Sequence, residues 1–444
     1  MIFQFNLQGE HLNSSKWAYD NGYIEGDFYV YIDGQQLFED SYMNVLELAI
    51  QLAKWMEDIK KGQLRDFEYD SIDCEDCLLA FYMQHEGVKV QAFQESFTPP
   101  IMSLEVVKQA VLRFLVALNV ELHRIRYMEN LDRFLTGILT ENQQALMLFE
   151  QNKYNDAFAL FQQLAKKRPS VQSLNNLAYI FLREEEDRVE AEKLLQQVLE
   201  LEPHSSFPYM MLGEIALHSG QYEQAKNYLQ QALTFEENEV PTYNLAIAQF
   251  RLGEYEQAAK QFARCSGDSD QTKLHEVVAW LYAGAMGKAK EMLANWNEDA
   301  DAYTGATEME DVYIELGCFE EAREQFEKEW RQDFTHPYIV SRYAFTLWTL
   351  QDIAACQSVV QQAITQTIED INEVRETELE EHWTEQDRDE HIAELLEQQQ
   401  TLEQLLPKLK NGYVPAFEYD MYPMGGCQLF GCTQHGHAEY EELE

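Results

Sequence analysis

The stretch GGCQLFGCTQHGH, residues 425–437, sets Cys427, Cys432, His435 and His437 within eleven positions. Two thiolates and two imidazoles are the soft and borderline donors that suit tetrahedral zinc. Gly425, Gly426, Gly431 and Gly436 supply the backbone freedom needed to wrap an ion closely. The spacing Cys-x4-Cys-x2-His-x-His matches no strong zinc pattern, and one residue between the histidines is short for chelation by both. Three readings stay open: a zinc site; a structured, metal-free tail packing Tyr419, Tyr422, Leu429 and Phe430 on what precedes it; and loose chain. Cys74-Glu75-Asp76-Cys77 has the spacing of redox pairs and metal knuckles. Its acidic neighbours Asp73, Glu75 and Asp76 oppose a thiolate, so it reads as a turn into a strand at Leu78.

No further constellation for catalysis stands out. The GGC and DGQQ stretches lack the lysine or strand-to-helix context of a phosphate loop, and neither a nucleophile elbow nor a His-Glu-x-x-His is present. Isolated histidines such as His218 and His275 read as surface or packing residues. With 78 acidic against 33 basic residues, the formal charge of −45 excludes a sequence-independent grip on nucleic-acid phosphates and points to a basic partner. The start, MIFQFNLQGEHLNSS, has no secretory pattern, and no run of about eighteen apolar residues suggests a membrane span. Seven cysteines, an odd number spread over 444 residues, fit a reducing compartment. The expectation is a cytoplasmic, non-enzymatic protein.

The elements around these residues fall into four blocks. Residues 1–135 alternate strand and helix signals. FYVYI and QQLFE flank Asp33-Gly34, a two-residue hairpin signature. LLAFYMQ and VKVQAFQ form a second hairpin around His85-Glu86-Gly87. Asn44 with Glu47 opens a helix striped by Leu48, Leu52, Trp55 and Ile59, and a second helix carries Val107, Val111, Phe114 and Leu118. Together they predict an α+β domain, most simply one antiparallel sheet covered by helices. Residues 138–365 are helical with a period. Tyr209, Leu212, Gly213, Gly220, Tyr222, Ala225, Leu229 and Ala232 are followed 33 residues later by Leu245, Ala246, Gly253, Tyr255, Ala258 and Phe262. The pattern also runs backward through Ala178, Ala191 and Pro203, then Ala145, Tyr154, Ala157 and Pro169, and weakens after 266 to six or seven helix pairs in all. Cys265, Cys318 and Cys356 fall at packing positions. Residues 366–410 read as an acidic helix closing the array, a disordered acidic tract being the alternative, and 411–444 as the Cys/His tail.

The spacing of these residues over about 140–265, and less closely to 365, resembles the tetratricopeptide repeat family. That resemblance implies an all-α solenoid of helix hairpins whose concave face, built from the first helix of each hairpin, holds a peptide or partner domain. By position that face carries Leu146, Tyr179, Leu182, Phe207, Met210, Leu217, Tyr243, Ile247 and Phe250, with Asn142 and Asn175 among its few polar members. The lysines and arginines of the family's carboxylate clamp are missing from those positions, so the expected occupant is an apolar partner helix, a peptide, a basic protein, or the chain's own N-terminal domain. Packing of these residues between neighbouring helices is the alternative. The segment YIEGDFYVYIDGQQLFED, with NVLELAIQLAKWM after it, is similar to small uncharacterised bacterial domains, some found among toxin-immunity proteins. An interaction scaffold is the leading reading; neutralisation of a basic toxin, and a zinc-dependent or redox enzyme built on the tail, are the rivals.

Overall fold

The computed structural model describes residues 1–7, 24–71, 77–93, 95–127, 130–265, 267, 269–296, 306–331, 334–379 and 383–440. The chain packs as two compact units, Met1–Met211 with Cys427–Glu444, and Leu212–Gly426.

In the first unit, β1 (Ile2–Leu7), β2 (Glu25–Ile32) and β3 (Gln35–Asn44) form one antiparallel sheet in that order. Asp33 and Gly34 join β2 to β3 with φ of 52° and 78°, the double positive φ of a two-residue hairpin turn. Phe28, Val30 and Ile32 alternate inward along β2. Strands β4 (Phe67–Glu68), β5 (Leu79–Gln84) and β6 (Gly87–Ala92) make a second antiparallel sheet. The single sheet expected from two hairpins is therefore two sheets. Each hairpin finds its own third strand, β1 beside β2 and β4 beside β5, so the two hairpins do not join. Helix α1 (Val45–Lys60) starts where Asn44 Oδ1 accepts the Glu47 amide at 3.2 Å. It and α2 (Leu104–Arg124) bury the expected stripes, and Trp55, Phe28, Phe81 and Phe114 centre the core. A short helix α3 (Asp132–Ile138) follows.

Antiparallel helix pairs come next: α4 (Glu141–Glu150) with α5 (Tyr154–Lys167), then α6 (Val171–Arg183) with α7 (Arg188–Glu200). Ala145, Ala157, Ala178 and Ala191 are fully buried where helices cross, since a methyl is all the space allows. Thr140 and Ser170 close capping boxes at the starts of α4 and α6. Helix α8 (Phe207–His218) spans the boundary between the units.

In the second unit the pattern continues with α9 (Tyr222–Phe235), α10 (Glu239–Arg251), α11 (Tyr255–Cys265), α12 (Asp270–Tyr282), α13 (Met286–Ala294), α14 (Ala306–Glu315), α15 (Phe319–Glu329), α16 (Pro337–Thr349) and α17 (Ile353–Glu376). Gly213 lets α8 and α9 touch: a Cβ there would sit 2.6 Å from the Leu229 side chain. Residues 270–294, which lack the repeat's markers, form a pair all the same, with Val277, Ala289 and Leu293 buried. The acidic stretch divides between the end of α17 and α18 (Glu385–Lys410), which is anchored in the core by Leu402, Leu405 and Leu409, while Leu396 faces solvent. The fold is an α+β N-terminal domain followed by an all-α solenoid of helix pairs. Beyond α18, residues 411–440 form neither helix nor strand, and in each unit they lie along the first helices of the pairs.

Candidate functional site

The polar contacts of the first unit converge on its own C-terminal segment. Asn176, on α6, accepts the Phe430 amide on Oδ1 at 2.9 Å and donates from Nδ2 to the Phe430 carbonyl at 2.9 Å. Asn142, on α4, donates to that same carbonyl at 3.0 Å and accepts from Asn176 at 2.9 Å, so the two amides brace each other. Asn175 donates to the Gln428 carbonyl at 2.7 Å. All three asparagines are buried, where an amide without partners would cost about 1–3 kcal/mol. Farther along, Gln172 receives the Tyr440 amide at 2.6 Å, the Tyr440 hydroxyl receives the His204 amide at 3.0 Å, and Arg113 donates to the Gly436 carbonyl at 3.2 Å. Phe430 stacks obliquely on Phe207 with centroids 4.9 Å apart. Gly431, at φ 82°, passes so close that a Cβ would stand 2.8 Å from Asn142 Nδ2.

The tail then turns back on itself: Gly431 N–H donates to the Ala438 carbonyl at 2.9 Å and His437 N–H to the Cys432 carbonyl at 2.9 Å. This turn brings Cys427 Sγ, Cys432 Sγ and a ring nitrogen of His435 within 4.8 Å of one another. The trio borders a cavity of about 460 Å³ shared with Leu146, Glu150, Tyr179 and Glu184. The hydrogen bond from Cys427, seconded by His435, holds the Cys432 thiol down to about 5, while giving that bond and being buried push Cys427 up. Burial pushes the Glu150 carboxyl up to about 7 and the Tyr179 phenol up to about 12.

The second unit holds residues 413–426 in the same manner. Asn244, on α10, receives the Met424 amide at 2.8 Å and donates to the Met424 carbonyl at 2.9 Å, repeating the bidentate pattern of Asn176. Arg251 pairs with Asp420 at 3.2 Å. His275 is buried between two phenols, Tyr419 at 2.6 Å and Tyr243 at 2.9 Å, and desolvation lowers it to about 4. Tyr338 accepts the Glu418 amide at 3.2 Å. Arg342, 1% exposed, donates to the Pro415 carbonyl at 3.2 Å while Asp311 and Glu315 neutralise it at 2.7 and 2.9 Å.

The positions expected on the binding face divide accordingly. Asn142, Asn175 and Phe207 touch the tail, and Leu146 and Tyr179 share the thiol cavity. Tyr243 reaches the tail through His275, and Phe250 through Tyr282, which stacks on Phe417. Leu182, Met210, Leu217 and Ile247 are buried in the helix layers. Residues of the chain's own tail thus lie extended along these helices, with Arg251 and Arg342 beside them at positions outside the expected set. His437 does not join the cluster of possible ligands: its Nδ1 lies 3.0 Å from the Leu429 carbonyl and its ring tilts against Phe207. Tyr422 is exposed instead of packed, while His275 is a packing residue, buried and held by two phenols. Cys74 lies outside the described residues, while Cys77 is exposed, its thiol raised mainly by desolvation. Asn176, Asn244, Arg251, Tyr338 and Arg342 were not expected at the site, although the period carries a signal for two of them. Asn142, Asn176, Met210 and Asn244 follow one another at intervals of 34.

Residues 142–206, 182–241 and 216–281 match models of the tetratricopeptide repeat, and residues 3–124 match a domain of unknown function, DUF7878. The helix pairs within residues 142–281 are thus similar to tetratricopeptide repeats. No curated protein matches the chain. Among solved structures, a tetratricopeptide repeat protein from Parabacteroides merdae is 14% identical, covers 59% of this chain and 97% of its own, and has a TM-score of 0.40. YrrB, described as a TPR protein with an unusual peptide-binding site, is 14% identical, with 46% and 91% covered and a TM-score of 0.30. Yeast Tom70 is 15% identical, with 69% and 59% covered and a TM-score of 0.33. No helix among the described residues is long and apolar enough to cross a membrane.

Proposed function

We propose that this protein is a peptide-binding interaction module whose repeats grip an extended partner segment by its main chain, and whose own residues 413–440 act as the resident competitor. The observation that carries this reading is the bidentate contact made twice, by Asn176 to Phe430 and by Asn244 to Met424. An asparagine that takes both the N–H and the C=O of one residue recognises an extended backbone and no particular side chain, so what it holds in cis it can hold in trans. Side-chain selection comes from Phe207 on one ring and from Arg251 on one carboxylate. A partner segment of the tail's type, aromatic with acidic residues, therefore suits this face. The strongly acidic exterior favours a partner whose remaining surface is basic, with an association rate that falls as salt rises.

The test is to insert a protease site after Gly412, an exposed turn residue at φ 84° with open space around it, and to cut the folded chain there. The cut tail should stay bound, then exchange with an excess of labelled peptide of sequence 413–440, with the circular dichroism of the helices unchanged. If the cut tail leaves only when the helices melt, it is a structural strand and the module reading fails.

A further inference from the structure

Within the first unit, Cys427, Cys432 and His435 differ from every other thiol described, because their donor atoms already face one another. Cys432 Sγ and His435 Nδ1 are 3.3 Å apart, and Cys427 Sγ lies within 4.8 Å of Cys432 Sγ and of a ring nitrogen of His435. In a tetrahedral zinc site, a sulfur at about 2.3 Å and a nitrogen at about 2.0 Å from the ion stand roughly 3.5 Å from each other. The donors are thus near the spacing the ion requires before it binds. What holds them there is independent of any ion. Asn142 and Asn176 fix Phe430, and the Gly431–Ala438 and Cys432–His437 main-chain bonds close the turn.

We propose that Cys427, Cys432 and His435 bind one zinc ion through two Sγ and Nδ1, with its fourth position held by water from the cavity lined by Leu146, Glu150 and Tyr179. Two thiolates and one imidazole are a donor set that selects zinc over calcium or magnesium, and three protein ligands with one open position is an established zinc arrangement. The surroundings favour a cation. The half-buried Glu150 carboxylate lines the same cavity as the trio and receives the Thr433 hydroxyl at 3.3 Å. His437 stands outside the donor cluster, with Nδ1–H donating to the Leu429 carbonyl and the ring 4.8 Å from Phe207. The site goes beyond the peptide reading and stands whether or not the groove ever takes a partner in trans.

The experiment uses the full chain, stripped of metal and kept reduced with a phosphine, titrated with cobalt(II) and then with zinc. One equivalent of cobalt should give the visible absorption of a tetrahedral ion together with a thiolate-to-cobalt charge-transfer band, and zinc should abolish both. Zinc should also shield Cys427 and Cys432, out of seven cysteines, from alkylation mapped by mass spectrometry. Cys427→Ser and Cys432→Ser should weaken cobalt by more than about 100-fold, beyond the range of outer-shell changes, while His437→Asn and Glu150→Gln stay within about tenfold. The proposal is overturned by a wild-type chain that shows no charge-transfer band, by shielding that falls on other cysteines, or by a loss in His437→Asn as large as in Cys432→Ser. Because the wild-type spectrum and the alkylation map need no variant, a serine substitution that fails to fold leaves the answer intact.

Discussion

Replacing Asn176 with alanine removes the most connected contact between the repeats and the tail. Four hydrogen bonds go: the Phe430 amide to Oδ1, Nδ2 to the Phe430 carbonyl, Nδ2 to Asn142, and Asn175 Nδ2 to Oδ1 at 3.5 Å. The Phe430 carbonyl keeps Asn142 at 3.0 Å, but its amide is left buried without a partner. At about 1 kcal/mol net for each lost bond, and allowing for the stranded amide, the docking of this stretch weakens by about 2–3 kcal/mol. Local opening should then be about 30 to 150 times more frequent. Native-state hydrogen exchange at the Phe430 amide reads this directly, because a fast-reclosing segment exchanges in proportion to its open population. Amides within the helices should change less, since none of the bonds lost belongs to a helix main chain. Asn175→Ala, whose one bond to the tail is the 2.7 Å contact with the Gln428 carbonyl, should raise exchange only about fivefold. Equal protection of Phe430 in wild type and Asn176→Ala would show that the clamp does not hold the tail.

Gly213→Ala should lower the melting temperature, because the new Cβ meets Leu229 at 2.6 Å and the overpacking cost of about 1–3 kcal/mol exceeds the helix gain of up to about 1 kcal/mol; calorimetry decides it. Arg342→Met strands Asp311 and the Pro415 carbonyl in the interior and should cost about 3–5 kcal/mol at pH 7.5 in urea titrations. Burial already raises the Asp311 carboxyl, so without its arginine it takes a proton more easily, and the deficit should shrink toward pH 5. His275 sits at about 4 against an ordinary 6.5, so the folded state binds this proton less readily than the unfolded chain does. Its contribution is complete above 6.5 and is lost as pH falls, reaching about 2.5 kcal/mol at pH 4.5. Glu310, raised by burial to about 9, changes stability in the opposite sense as pH rises, so the measurement is the difference between wild type and His275→Gln.

Local physics made much of the fold readable. The Asp33-Gly34 turn, the Asn44 cap and the helix stripes are contacts between near neighbours, and each is found where the residue types place it. The pairing of β1 with β2 spans a gap that no local pattern reveals, and the two-sheet arrangement depends on it. On the binding face the repeat register identifies which helix surface matters but not which side chains stay open. Leu182, Leu217 and Ile247 have the same apolar character whether they wait for a ligand or pack between helices. The occupant was the least visible part. Asn176 and its partner are 254 positions apart, and recognition through main-chain atoms imposes no side-chain code on the segment recognised. Among the tail's four candidate ligands, the turn set by Gly431 and Gly436 brings three together and leaves His437 against Phe207. That placement belongs to backbone geometry that spacing alone leaves open.

On the proposed reading, asparagine clamps that serve a resident and an incoming segment alike make a distinctive pattern of variant effects. A tethered tail competes at an effective concentration on the order of a millimolar, so the apparent affinity for a partner is its intrinsic affinity divided by one plus the tail's closure constant. Asn176→Ala lowers both terms by similar factors and should leave the apparent partner affinity almost where it was. A change in the tail alone breaks this cancellation. Phe430→Ala removes a ring that packs on Phe207 at 4.9 Å and on Tyr440 at 5.2 Å, yet alters nothing that a partner would touch once the tail has left. Losing about 2–3 kcal/mol of buried aromatic surface from the competitor should strengthen binding of a labelled 413–440 peptide to the full chain by about 30- to 150-fold, measured by fluorescence anisotropy. The gain comes from the competitor's loss, so it should vanish once the tail has been cut free and washed away. An affinity that falls in Phe430→Ala, or that rises equally in Asn176→Ala, would mean that tail and peptide do not share one seat.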